Sequence, residues 1–320
     1  MGTARVLLFG ASGFLGRPLA AALTGDPRVG ALIRVGRQER ADQGRRRHDL
    51  VTGTPEQLGR LLQDVEPDVV INATGRMSGG YAALVEANVL TTARLLDAIA
   101  MHAPTARLVV LGSAAEYGVV RAGEPVAEDS PTSPASDYGV TKLTATRLAW
   151  LAAAEGRVEA VVLRVFNPIG AGTPDTTVLG RAVTDMRRAM EHGDDHIRLG
   201  PLGAYRDFVD VRDVASAITA AALADEVAAP VLNVGRGVAV PTRAVIELLA
   251  EVAGFSGQIR ESAPAPDRSR TVDWIAADTS LINRSFGWVP AHDLRSALEA
   301  AWTTAGRDTA LVRARSAPSP

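Results

Sequence analysis

The chain has 320 residues, 47% of them hydrophobic and 22% charged, with a formal net charge of −2. These are ordinary values for a globular chain of one large domain or two closely joined ones, and the charge gives no electrostatic reason to bind nucleic acid or an anionic membrane. The absence of cysteine excludes disulfides, thiol catalysis and thiolate metal sites.

RVLLF (residues 5–9) reads as a short buried strand bounded by Gly10. GASGFLG (10–16) follows, then a helical stretch that ends at Gly25. ALIRVG (31–36) and PDVVINATG (67–75) are further strands. EANVLTTARLLDAIAMHA (86–103) has apolar residues at 89, 90, 95, 96 and 99, the spacing of a helix. ARLVVLGSA (106–114) is a strand, YGVTKLTATRLAWLAAAEG (138–156) a long helix stopped by Gly156, and EAVVLRVFNPIG (159–170) a strand running into a Pro/Gly loop. Alternating strands and helices, with strands apolar at consecutive positions, predict a doubly wound parallel sheet of Rossmann type.

Beyond residue 167 the alternation loosens. Residues 206–224 join a short strand to a helix, 231–235 form a strand, and 241–254 and 293–302 form helices. The expected organisation is a dinucleotide-binding domain of residues 1–166 and about 207–235, with a smaller C-terminal α/β substrate-binding domain of about 167–206 and 236–305. The tail 306–320 lacks a sustained period, ends in Pro and Ser, and is expected to be disordered. The 5 scattered histidines carry no metal-binding motif, so no metal is expected. No apolar run reaches the roughly 18 residues of a membrane span, and the chain enters a strand with no charged leader or cleavage site, so a cytoplasmic protein is expected.

Three features carry chemistry. Gly10, Gly13 and Gly16 are spaced G-x-x-G-x-x-G between a strand and a helix. Glycines there let the backbone approach a pyrophosphate, and the helix N-terminus offers unpaired N–H groups. Eighteen residues beyond Gly16, where an acidic residue would hold the ribose of NAD, stands Arg34, followed by Arg37. Guanidinium suits a 2′-phosphate, so NADP(H) is favoured and NAD is the second choice. Asp49 is placed to contact the adenine.

The third feature is the pair Tyr138 and Lys142. Of 34 basic residues Lys142 is the one lysine. On a helix the pair shares a face, and a cation beside a phenol brings its pKa toward working pH.

GASGFLG, GSAAEYG, YGVTK, RVFNPIG and YRDFVDVRDV, in this order, resemble the extended short-chain dehydrogenase/reductase family and, more narrowly, its nucleotide-sugar branch. The resemblance runs from about residue 4 to residue 302. It implies Ser113, Tyr138 and Lys142 as the catalytic unit, with Lys142 also holding a cofactor ribose. It implies a cofactor groove built by Ser12, Phe14 and Leu15 in the glycine loop, by Leu50 beside Asp49, by Asn72, Ala73 and Thr74, and by Phe166 and Pro168. Asn88 matches a family asparagine whose role is more structural than catalytic. For the substrate it implies Ser113, Ala114, Tyr138, Asn167, Val178, Leu179, Arg206 and Arg268, the arginines on its phosphates. Thr177-Val178-Leu179 stands where many members have Asn-x-Leu. Homodimerisation through residues 86–103 and 138–156 is also implied.

In the family's 4,6-dehydratases an Asp-Glu pair follows the catalytic Ser/Thr; here Ala114 and Ala115 follow. Methyl groups neither give nor take protons, so elimination is disfavoured and simple hydride transfer remains. The expected activity is NADPH-dependent reduction of a nucleotide-linked 4-keto-6-deoxyhexose. Alternatives are an NAD-dependent nucleotide-sugar 4-epimerase, a tailoring ketoreductase on a non-sugar ketone, and an NADP-binding protein without chemistry.

Overall fold

The computed structural model describes residues 3–37, 45–227, 229–262 and 272–316, with side chains described as far as residue 306. β1 (Ala4–Phe9), α1 (Gly16–Gly25), β2 (Val29–Gly36), β3 (Arg45–Arg47), α2 (Pro55–Val65) and β4 (Val69–Asn72) come first. α3 (Tyr81–Leu84) runs through a π-helical turn (Val85–Leu90) into α4 (Thr91–His102), followed by β5 (Arg107–Ser113), α5 (Asp137–Ala154), β6 (Ala160–Val165) and β7 (Pro168–Ile169). Then come α6 (Val178–His192), β8 (His196–Leu199), β9 (Tyr205–Asp207), β10 (Val209–Asp210), α7 (Val211–Ala222), β11 (Val231–Val234) and β12 (Ala239–Pro241). The chain closes with α8 (Thr242–Ala253), β13 (Gln258–Glu261), β14 (Trp274–Ile275), α9 (Ser280–Phe286) and α10 (Leu294–Ser316).

Among the described residues the main sheet has seven strands in the order β11-β6-β5-β4-β1-β2-β3, and every pair in it is parallel. The strand order reverses between β1 and β4, so a crevice opens where their C-terminal ends diverge. Successive side chains point to opposite faces, and both faces are buried. Val6 and Leu8 pack with Leu19 and Leu23 of α1 and Val214 and Ile218 of α7. Leu7 and Phe9 pack with Leu58 and Leu62 of α2, Leu95 and Ile99 of α4 and Ala149 of α5. A separate apolar cluster in the C-terminal part joins Leu179, Val183 and Met186 of α6, Val245, Ile246 and Leu249 of α8, and Leu298 of α10.

Three elements differ from the sequence expectation. The helix expected over 86–103 begins as the π-helical turn, with buried Asn88 inside it. The strand expected over 67–75 stops at Asn72, because Asn72 Oδ1 accepts the Thr74 N–H at 3.1 Å and the Thr74 hydroxyl at 2.5 Å and turns the chain. The helix expected to end near 302 continues to Ser316. After Gly306 the sequence holds no proline before Pro318, and Ala, Leu and Arg favour the helix.

Candidate active site

The loop from β1 to α1 is a tight cradle. Gly10 adopts φ +82°, where a Cβ would also meet the Ala73 carbonyl carbon at 2.7 Å. A Cβ on Gly16 would stand 2.0 Å from Gly10 O. The Gly13 N–H donates to Gly10 O at 2.9 Å and closes the turn. Leu15, at the α1 N-cap, makes no side-chain cap, and no acidic residue occupies the first turn. The positive end of the helix dipole thus faces a space that only glycine leaves open, which fits a dinucleotide pyrophosphate. Arg34 lies near the end of β2 with Nη2 3.3 Å from Thr24 Oγ1, while its buried Nε has no hydrogen-bond partner among the described residues. Arg34 and exposed Arg37 supply positive charge where a carboxylate would select NAD, which fits a 2′-phosphate.

Ser113 ends β5 and caps the 3-10 turn Ala114–Glu116, its Oγ accepting the Ala115 N–H at 3.2 Å. Tyr138 and Lys142 stand one turn apart near the start of α5, which Ser136 caps by accepting the Gly139 N–H. Lys142 is only 7% exposed. Burial pushes its pKa down, and the charge of Glu116 opposes that shift. Ser113, Tyr138 and Lys142 all line one cleft of about 610 Å³.

Behind Ser113 lies a buried polar network. Arg164 pairs with Glu116 at 2.8 Å, donates to Tyr117 Oη at 3.0 Å, and stacks over the Tyr117 ring at 4.7 Å. Burial pushes the Tyr117 phenol up to about 12. Its hydroxyl donates to Asn233 Oδ1 at 2.7 Å.

The C-terminal wall of the cleft comes from β9 and α6. Arg206 lines it with its guanidinium held by the carbonyls of Tyr205 and Val272, and burial lowers its pKa. The neighbouring carboxylate, Asp207, is fully buried and accepts the N–H groups of Arg236, Gly237 and Ala277, which anchors β9. Asn167 lines the cleft and donates to Asp207 O at 2.9 Å.

The cleft brings together most of the residues expected from sequence: Gly13, Phe14 and Leu15; Ala73 and Thr74; Ser113 and Ala114; Tyr138 and Lys142; Asn167 and Pro168; Val178 and Leu179; and Arg206. Gly10, Ser12 and Gly16 form the turn beneath it. Asp49 and Leu50 follow β3; the Asp49 carboxylate accepts the Val51 N–H at 2.9 Å, and Leu50 is buried. Three expected cofactor contacts have other uses. Asn72 turns its side chain onto Thr74. Asn88 Oδ1 accepts the Arg76 N–H, and its Nδ2 donates to Arg76 O and Thr141 Oγ1, so its amide clamps the loop after β4 to α5. Phe166 is fully buried against Tyr117. Arg268 lies outside the described residues.

Sequence reasoning missed Arg181 and Arg76, both exposed and both lining the cleft. Arg181 was recoverable, because Thr177 caps α6 by accepting the Gly180 N–H and so sets Arg181 in the first turn of a helix that opens on the cleft. Arg76 had no such signal, because its placement depends on Asn88. Among the described residues no group of three His, Asp or Glu side chains could hold a metal ion, and no helix is long and apolar enough to cross a membrane.

A glycine-cradled helix N-terminus, a Ser/Tyr/Lys set and a parallel sheet define an oxidoreductase of the short-chain dehydrogenase/reductase type. Residues 6–235 match the NAD dependent epimerase/dehydratase family, and the chain belongs to it. It is 40% identical over 304 residues to the dTDP-6-deoxy-L-talose 4-dehydrogenase (NAD(P)(+)) of Kitasatospora kifunensis, covering 94% of this chain and 95% of that one. It is 30% identical to the GDP-6-deoxy-D-mannose reductase of Pseudomonas aeruginosa, over 93% of this chain and 96% of the relative. Among solved structures it resembles RMD from Pseudomonas aeruginosa complexed with NADPH, at TM-score 0.80, 27% identity and coverage of 94% and 98%. It also resembles MoeE5 in complex with UDP-glucuronic acid and NAD, at TM-score 0.81, 29% identity and coverage of 95% and 99%.

Proposed function

We propose that the protein is an NADP(H)-dependent reductase of a nucleotide-diphosphate-linked 4-keto-6-deoxyhexose. The observation that carries this reading is the continuity of the cleft, which runs from the glycine cradle past Ser113, Tyr138 and Lys142 to Arg181 and Arg206. Arg34 and Arg37 favour the 2′-phosphorylated cofactor. Two relatives that match more than nine-tenths of the chain support the sugar class, since both act on nucleotide-linked 6-deoxyhexoses by name. Oxidation by a 4-dehydrogenase is the reverse of 4-keto reduction.

A dinucleotide held by the Gly10–Gly16 cradle would supply the hydride for the carbonyl carbon. Ser113 Oγ–H donates to the carbonyl oxygen and holds it toward Tyr138. As negative charge develops on that oxygen, the Tyr138 hydroxyl gives up its proton, and the sugar hydroxyl is formed. The Lys142 ammonium stabilises the resulting phenolate, which regains a proton from solvent. Ala114 and Ala115 line the cleft beside Ser113 without any group able to take a sugar proton or protonate a leaving hydroxyl, so the reaction stops at reduction. Arg181 of α6 and Arg206 of β9, both lining the cleft, are suited to hold the substrate diphosphate. We also assign a homodimer through α4 and α5, which leave Met101, Val140, Trp150 and Leu151 exposed.

The test is the consumption of NADPH on mixing the protein with a dTDP- or GDP-linked 4-keto-6-deoxyhexose. Arg181→Ala and Arg206→Ala are each expected to raise the substrate KM about tenfold or more without changing that for NADPH. Interconversion of UDP- or dTDP-hexoses with no net use of cofactor would identify a 4-epimerase instead.

A further inference from the structure

Glu116 is fully buried, yet the proposed reaction gives it no role. It ends the 3-10 turn that leaves β5 directly after Ser113. Its Oε1 accepts the Ser113 N–H at 2.9 Å and the Thr146 hydroxyl at 2.9 Å, and its Oε2 accepts Arg164 Nε at 2.8 Å. Tyr138, Lys142 and Thr146 follow one another at intervals of four along α5, so they stand on one helix face. A single carboxylate oxygen therefore ties the backbone of Ser113 to the helix face that carries the other two catalytic groups. The same carboxylate is the anion that acts on buried Lys142.

Fold stability alone does not require this arrangement, since apolar residues of similar volume commonly hold a core as well as a buried ion pair does. What an apolar substitute could not supply is a fixed link between Ser113 and α5, or a negative charge beside a buried ammonium. Resting on the reading of Ser113, Tyr138 and Lys142 as the catalytic unit, we propose that Glu116 is a positioning residue. It sets the separation of Ser113 from Tyr138 and Lys142, and its bond to Thr146 brings a carboxylate to α5 one turn from Lys142.

The other charged and titratable groups of this region are accounted for. Arg164, from β6, is paired with Glu116 itself and also donates to Glu128 O. The Glu128 carboxylate accepts the Asn233 N–H. Tyr117 stays a neutral phenol, pushed up to about 12 by burial. Tyr138 shares the helix face of Lys142. The π-helical turn packed on α5 presents Asn88, which is uncharged, to Thr141. Removing the Glu116 charge would leave Lys142 and Arg164 as buried cations without that anion. Lys142 would then lose its proton at lower pH, and the alkaline limb of the pH–rate profile would move down.

Two variants separate the two roles. Glu116→Gln keeps the shape and is expected to lower kcat about tenfold or more and to shift the alkaline limb of kcat/KM down by about one pH unit. Thr146→Val keeps the charge and cuts one arm of the link. It is expected to lower kcat several-fold with the alkaline limb in place, and Thr146→Ser is expected to restore the rate. The proposal is overturned if Glu116→Gln folds and keeps the wild-type kcat and pH profile, or if it fails to fold and Thr146→Val keeps the wild-type kcat. Tyr138→Phe, measured alongside, separates the two failures. If it is inactive while Glu116→Gln is normal, only the positioning role is wrong; if it is active, the catalytic assignment itself is wrong.

Discussion

Lys142 is the one lysine of a chain that otherwise uses arginine for every basic side chain, and it is also one of its most deeply buried cations. The ammonium is compact enough to sit beneath a phenol and a ribose, whereas a planar guanidinium needs a wider, differently shaped space. Lys142→Arg keeps the charge and is expected to reduce kcat/KM by about 10²-fold or more, as steady-state assays would measure. Near-normal turnover would mean that any cation suffices. Burial also makes Lys142 costly to the apo fold. Its pKa is lowered, so between the folded value and the ordinary lysine value near 10.5 the unfolded chain binds more protons. The destabilisation is therefore full below the folded value and is relieved as pH rises through that window. Lys142→Met should abolish activity and raise apo stability at pH 7 by on the order of 1 kcal/mol, a gain that denaturant titration would find shrinking toward pH 10. At this scale Tyr138 and Lys142 were legible because i,i+4 geometry is local. The burial of Phe166 and the use of the Asn88 amide depend on partners distant in sequence, Tyr117 and Arg76, and no local pattern reports them.

Among the elements, the β1–α1 loop was legible in full because its function and its steric demands coincide. Only glycine permits the closeness of Gly16 to Gly10 O, and the same closeness leaves room for a phosphate at the α1 N-terminus. Gly16→Ala would place a Cβ against backbone atoms of Gly10 and Ala11 that have no rotamer to escape by. The expected result is a loss of about 1–3 kcal/mol in unfolding free energy, with dinucleotide affinity reduced at least about tenfold by fluorescence titration. A variant that binds cofactor normally would show that the loop can relax. The inner sheet strands were legible as short apolar runs, since a strand covered on both faces has no polar positions to hide it, whereas edge strand β3 is Arg45–Arg47 and has no apolar run to report it. The π-helical turn was not, because apolar spacing does not distinguish i→i+4 from i→i+5 bonding within two turns. The full length of α10 was not legible because the segment after 302 has no sustained apolar period, although no Gly or Pro between 307 and 316 stops the helix.

At the scale of the whole molecule, the reversal of strand order between β1 and β4 places the cradle and the Ser113/Tyr138/Lys142 set at one end of the sheet, and β9 and α6 close the cleft from the other side. Helices α4 and α5 leave Met101, Val140, Trp150 and Leu151 exposed. A homodimer formed there would give about twice the 33.5 kDa chain mass in light scattering, and Trp150→Asp with Leu151→Asp should return it to one chain without removing the cleft. Ligands that join the walls of a cleft stabilise the native state by mass action, about 2.7 kcal/mol at a hundred times Kd. If Arg34 and Arg37 read a 2′-phosphate, NADP+ will raise the melting temperature more than NAD+ at equal concentration, because the two differ only in that group. The difference, not the shift itself, should vanish in the Arg34→Ala, Arg37→Ala double variant, since the glycine cradle still holds the pyrophosphate of both. Equal shifts in the unaltered protein would mean that these arginines do not select the cofactor. Unequal shifts that survive the double variant would move the phosphate site to other residues.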